Sequence, residues 1–113
     1  MAKNLNPFTI QVTDTMRVAM EKITANKCRA VVVLDRGKVV GTVSDGDLRR
    51  AFLKEVLPIA PVEEIMNINC RTTTETDPKK QAEIIRQEQV TVLPVIDNDN
   101  TLVDIVLGFE PFA

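Results

Sequence analysis

The sequence predicts an α/β fold made of two divergent copies of one β-α-β-β-α unit, and three observations carry that prediction. First, the chain repeats itself with a period of about 63 residues. Thr13–Met20 aligns with Thr76–Glu83, Ala30–Asp35 with Val92–Asp97, and Val40–Ser44 with Val103–Leu107. Second, each copy holds an unbroken apolar run followed by turn residues and another β-leaning run. Third, each copy places an aspartate, Asp14 or Asp77, just ahead of apolar residues at helical spacing. The chain has 113 residues. Half of that length would bury too little surface to be secure alone, so the two copies are expected to share a core.

The elements follow in order. Phe8–Val12 and Arg71–Thr74 read as short strands that open each copy. Asp14 and Asp77 are placed to cap the helices that follow, by accepting from orphan amides of the first turn. Pro78 suits the first helical position, where a missing N–H costs nothing. Met16, Ala19, Met20 and Ile23 recur at three and four, the spacing of a helix face turned to a core. Ala82, Ile84 and Ile85 are expected to do the same in a shorter second helix. Ala30–Leu34 is continuously apolar, as a strand covered on both faces should be. The turn Asp35-Arg36-Gly37-Lys38 returns the chain through Val39–Val43, giving a hairpin. Leu93–Ile96, the turn 97–100 and Thr101–Leu107 repeat it. A helix is expected over Asp45–Lys54, and a short one over Pro61–Met66. The organisation is therefore a first motif over 1–56, a linker with a short helix over 57–66, and a second motif over 67–113. After Leu107 the chain runs Gly108–Ala113 and stops, so a terminal helix matching Asp45–Lys54 is expected to be missing or truncated.

Composition narrows the functional classes. Hydrophobic residues are 44% and charged residues 27%, an ordinary globular balance. The formal net charge of -2 argues against a nucleic acid as main partner. No run approaches the roughly 20 apolar residues that span a bilayer. The N-terminus has no apolar signal region, so the expected location is cytoplasmic. The chain has no His, which removes Ser-His-Asp and Cys-His catalysis and any His-ligated metal. Cys28 and Cys70 are isolated, and two thiols do not build a structural zinc site. No catalytic residue and no metal site are expected, and no cofactor is required.

The most informative string is Gly41-Thr42-Val43-Ser44-Asp45-Gly46-Asp47-Leu48-Arg49-Arg50, at a strand-to-helix junction. Amides at such a junction carry partial positive charge and suit an anion. Ser44 can hydrogen-bond a phosphate, and the Asp47 carboxylate can accept from both hydroxyls of a ribose. Spacing alone equally fits a helix cap made by Ser44, with Asp47 offsetting the dipole and Arg49 and Arg50 in solvent. A magnesium site on Asp45 and Asp47, serving a small phosphotransfer enzyme, is a further alternative; it lacks a third carboxylate.

The repeat and this string together resemble a tandem cystathionine β-synthase (CBS) domain pair, also called a Bateman module. Gly41-Thr42-Val43-Ser44-Asp45-Gly46-Asp47 matches the family hallmark of Gly, two apolar residues, Ser/Thr, two residues and Asp, with Thr42 slightly polar where an apolar residue is usual. Val62–Met66 resembles the segment that introduces the second copy. Leu93-Pro94-Val95-Ile96-Asp97 resembles the family's Leu-Pro-Val-x-Asp strand. The resemblance covers essentially the whole chain. It implies two copies packed with pseudo-twofold symmetry, and a regulatory module for an adenine nucleotide rather than an enzyme. The better cleft would use Ser44 and Asp47, facing Arg71, Thr72, Thr73, Val90 and Thr91 of the other copy. A weaker cleft would use Lys27, Arg29, Ala30 and Glu110. There Asp104, Leu107 and Glu110 depart from the pattern, and Leu107 offers a phosphate nothing.

The absence of a dense basic cluster points to AMP or ADP over ATP as the regulatory ligand. The resemblance also implies a homodimer through helix faces, for which Leu48, Ala51 and Phe52 offer an apolar patch. Thr42–Arg50 further looks like module pairs attached to sugar nucleotidyltransferases or arabinose-5-phosphate isomerases, so an attached or partner catalytic domain is expected. The competing non-enzymatic reading is a ligand-free dimerisation module.

Overall fold

The computed structural model describes residues 4–108. The elements in chain order are β1 (Thr9–Gln11), α1 (Met16–Asn26), β2 (Ala30–Asp35), β3 (Lys38–Ser44), α2 (Asp45–Leu53), α3 (Pro78–Glu88), β4 (Val92–Ile96) and β5 (Leu102–Leu107). Single turns of 3-10 helix cover Asn6–Phe8 and Val62–Glu64. The latter is what remains of the helix expected over Pro61–Met66.

The first repeat is a three-stranded sheet in the order β1-β2-β3. β1 runs parallel to β2, through Ile10 opposite Val33, and β3 runs antiparallel to β2. The β2–β3 turn is formed by Arg36 and Gly37, both at positive φ (54° and 83°), as a two-residue hairpin of the right twist requires. The second repeat keeps the hairpin, β4 antiparallel to β5. The strand expected over Arg71–Thr74 is reduced to one parallel bridge, Thr73 opposite Val95, which occupies the place of the Ile10–Val33 pairing.

Local chemistry explains the helix ends and corrects two expectations. Thr15, not Asp14, caps α1: its hydroxyl accepts from the Val18 N–H at 3.3 Å. Asp14 instead accepts from the Gln11 N–H at 2.9 Å and closes the turn leaving β1. Asp77 does cap α3, accepting from the Lys79 N–H at 3.0 Å, with Pro78 at the first helical position. α3 is 11 residues long, as α1 is, so it is not the shorter helix. Its buried residue is Gln81, while Ala82 is exposed. The Gln81 amide donates to the Glu75 carbonyl at 2.7 Å, which permits a polar group there.

β2 is buried on both faces, as its continuous apolar sequence requires. Val31 and Val33 face α1 and join Ile10, Ala19, Ile23, Val43 and Val62. Ala30 and Val32 face the other way, and with Val39 they meet Val92 and Ile105 of the second repeat. This second cluster is the shared core that neither repeat could form alone. The hairpin tips are also stitched together. Lys38 Nζ donates to the Asp99 carbonyl at 2.7 Å, and the Asn100 amide donates to the Val39 carbonyl at 2.8 Å. Among the described residues no helix is long and apolar enough to cross a membrane.

Candidate functional site

The site begins where β3 ends. Ser44 has extended backbone geometry and caps α2. Its hydroxyl accepts from the Asp47 N–H at 3.3 Å, and Asp47 Oδ2 accepts from the Ser44 N–H at 2.9 Å, a reciprocal capping box. The Ser44 hydroxyl also donates to Asp47 Oδ2 at 3.0 Å. The other carboxylate oxygen, Oδ1, accepts from the Arg50 guanidinium at 2.8 Å. Asp47 is therefore held rigidly, with its side chain only 12% exposed. The capping reading of this string holds for Ser44 and Asp47, whereas Arg50, expected in solvent, pairs with Asp47 and lines the cleft. It does not exclude a ligand, because the same junction forms one wall of a cleft.

That cleft lies between the repeats. The first repeat contributes Ala30, Thr42, Ser44, Asp47 and Arg50. Facing them are Asn67, Cys70, Arg71, Val90, Thr91 and Val92. Asn67 is placed by pairing with the edge of β3: its N–H donates to the Thr42 carbonyl at 2.8 Å, and its carbonyl accepts from the Thr42 N–H at 3.1 Å. Gly41 makes that approach possible, since a Cβ there would stand 2.9 Å from the Asn67 carbonyl oxygen. Arg71 Nε lies 2.9 Å from Glu88 Oε2 at the end of α3. Burial raises the pKa of the Cys70 thiol against an opposing backbone hydrogen bond, so it is a poor thiolate at neutral pH. The cleft encloses about 190 Å³, less than the roughly 300–1,000 Å³ usual for small-ligand pockets. A nucleotide would lie partly in the open mouth or require a side chain to move.

Ser44, Asp47, Arg71, Val90 and Thr91, expected together, line this cleft together. Thr72 and Thr73 do not; Thr73 is occupied in the bridge to Val95 and accepts from the Glu75 N–H at 3.0 Å. Ala30, assigned from sequence to a weaker second cleft, lines this one instead, because β2 pairs it directly with Ser44. Lys27 and Arg29 do not line it. They hold the turn into β2 at φ 59° and 67°, and the Arg29 carbonyl accepts from the Asp45 N–H. Glu110, the remaining member of the weaker cleft, lies outside the described residues, as do the other residues beyond Gly108. Thr42, Arg50, Asn67 and Cys70 were missed. Arg50 had a readable signal, its position three residues after Asp47 on a helix. Asn67 had none, since its place depends on strand-edge pairing. Among the described residues no group of three or more His, Cys, Asp or Glu could hold a metal ion.

A second concavity lies at α2, an apolar groove of about 840 Å³ lined by Met16, Met20, Leu48, Phe52, Leu53 and Leu57, among others. The patch expected from Leu48, Ala51 and Phe52 divides here. Ala51 is buried and Leu48 packs on the core, while Phe52 and Leu53 are 74% and 73% exposed.

Comparison with known proteins gives this geometry a family. The model described as CBS domain matches residues 1–54. A CBS domain-containing protein of Dictyostelium discoideum is 31% identical over 119 residues, covering 94% of this chain and 81% of that protein. The chain belongs to the CBS domain family. Solved CBS structures share its fold across both repeats. A CBS domain protein from Pyrobaculum aerophilum complexed with AMP matches with a TM-score of 0.75 at 20% identity, covering 93% of this chain and 82% of that one. The cytosolic domain of the Mg2+ channel MgtE in complex with ATP matches with a TM-score of 0.67 at 27% identity, covering 88% of this chain and 41% of that one. As a CBS protein the chain is a regulatory module, not a catalyst. Its α/β fold is that of a CBS pair.

Proposed function

We propose that this CBS pair binds an adenine nucleotide in the cleft between its repeats and reports occupancy to a catalytic domain. The observation that carries the reading is the cleft itself, where Ser44 and Asp47 of one repeat face Arg71, Val90 and Thr91 of the other. Chemistry at this spacing suits a nucleoside phosphate. The phosphate would sit by Ser44, the start of α2 and the Arg71 guanidinium. Asp47 Oδ1, which now accepts from Arg50, would take the ribose hydroxyls. Ala30 and Val92 supply apolar surface for the base. Two arginines, both already paired with carboxylates, favour AMP or ADP over the higher charge of ATP. The AMP and ATP complexes of the two relatives support an adenine nucleotide as the class.

In this reading residues 1–56 and 67–113 are the two motifs and 57–66 joins them. A ligand that touches both motifs biases their relative packing, and that bias is the signal. The regulated partner is proposed to be of the sugar nucleotidyltransferase or arabinose-5-phosphate isomerase kind, in the cytoplasm. The exposed apolar groove beside Phe52 and Leu53 supports self-association as a homodimer, and it is also what favours the ligand-free interaction module as a second reading.

The test is calorimetric titration of AMP, ADP, ATP and S-adenosylmethionine into the wild type and Asp47→Asn, which keeps the shape of the cap. AMP or ADP binding that is lost or weakened at least tenfold in Asp47→Asn supports the reading. No heat and no melting shift with any of the four at millimolar concentration refutes it and leaves the interaction module.

A further inference from the structure

We infer that Glu88 sets the charge selectivity of the cleft, as a built-in carboxylate that competes with an anionic ligand for Arg71. The inference rests on the nucleotide reading above and deepens it. Arg71 is the cation that the second repeat brings to the cleft wall among the described residues. Its Nε is 2.9 Å from Glu88 Oε2, and both side chains are close to half exposed. The first repeat's cation, Arg50, is held at 2.8 Å by Asp47. Two guanidiniums and two carboxylates cancel, so an arriving anion meets no uncompensated positive charge from these four groups. It gains Arg71 or Arg50 only by displacing a carboxylate.

The two pairs are not equivalent. Asp47 belongs to the cleft wall and to the cap of α2, so removing it takes away a ligand contact and a structural contact together. Glu88 stands outside the wall and caps nothing, so removing it takes away a competitor alone. Glu88 is also the last residue of α3, at the negative end of the helix dipole, where a carboxylate is unfavourable without a cation beside it. Arg71 supplies that cation. A ligand phosphate and Glu88 therefore contend for one guanidinium, and the winner is felt in the cleft. Gln89, left-handed at φ 53°, links Glu88 directly to Val90 and Thr91 in the cleft wall. The ligand that Glu88 holds back is one with an anionic group reaching Arg71. A neutral nucleoside does not enter this competition.

The experiment compares AMP with adenosine by calorimetric titration at low ionic strength, using wild type and Glu88→Gln of the full chain. Neutralising Glu88 is expected to tighten AMP about two- to fivefold, the range for an exposed ion pair. Adenosine is unchanged, and added salt erases the difference for AMP. Glu88→Ala gives the same pattern if charge is the cause, and melting curves show that both variants fold. AMP binding of equal strength in wild type and both variants overturns the inference and leaves the nucleotide reading standing. Equal tightening of AMP and adenosine overturns it too, because Glu88 then acts by shape. Absence of AMP binding in every protein overturns both the inference and the reading.

Discussion

Replacing Gly41 with alanine tests why the family hallmark begins with glycine here. The added Cβ would stand 2.9 Å from the Asn67 carbonyl oxygen, 3.0 Å from Met66 Sδ and 3.1 Å from Met66 Cγ. The methionine can move. The Asn67 backbone resists, because it is pinned to Thr42 by hydrogen bonds of 2.8 and 3.1 Å. Overpacking of this kind costs about 1–3 kcal/mol, and the stiffer unfolded chain returns about 0.4–1 kcal/mol. The net loss then centres on about 1.3 kcal/mol, or roughly 5 °C in Tm for a domain near 100 residues. Scanning calorimetry reads it. Gly46→Ala is the contrasting case in α2: its Cβ meets the Arg50 guanidinium at 3.3 Å, the movable end of a flexible side chain. There the gain in helix propensity, up to about 1 kcal/mol, wins and Tm rises. A Gly41→Ala protein melting at or above the wild type refutes the close-approach argument.

Three more outcomes are expected. Ile105→Ala, at a buried β5 position in the cluster between the repeats, lowers unfolding free energy by about 2–5 kcal/mol in urea denaturation. A loss under 1 kcal/mol contradicts the shared core. Under the proposed homodimer, Phe52→Asp weakens self-association in sedimentation equilibrium without lowering Tm, since Phe52 is 74% exposed; a wild type that stays monomeric contradicts the dimer, and a dimer that Phe52→Asp leaves unchanged contradicts this interface. The N–H groups of Thr101 and then Asp99 hold the Asp97 carboxyl below its ordinary pKa. Its stabilising contribution is therefore complete above the unfolded value near pH 4 and is lost as pH falls through the lower folded value. Acid unfolding curves of Asp97→Ala should be shallower than wild type below about pH 4; parallel curves contradict this.

The fold was legible where one sequence signal had one structural meaning. The valine run 30–34 has no polar alternation, so it had to be a strand covered on both faces, and it is the strand both core clusters share. The capping box was legible because Ser44 and Asp47 interact across three residues. Thr72 and Thr73 were misplaced because the strand containing them shrank to a single bridge, and strand pairing is settled by partners distant in sequence. Ala82 was read as buried because the reading scored apolar residues only, and Gln81 reaches the interior through a hydrogen bond. Asp14 and Thr15 are both good caps, one residue apart, and tertiary placement of β1 decided between them. In the cleft, Ala30 and Asn67 arrive by pairing with opposite edges of β3, information that no local pattern carries.

The central claim is that one ligand is held by both repeats at once. Amide chemical-shift mapping of the full chain during an AMP titration tests it most directly. The account predicts that Ser44–Asp47 and Arg71, Val90 and Thr91 shift together and saturate with a single dissociation constant. Shifts confined to one repeat, or gathered at the Phe52 groove, or absent at millimolar AMP, contradict it.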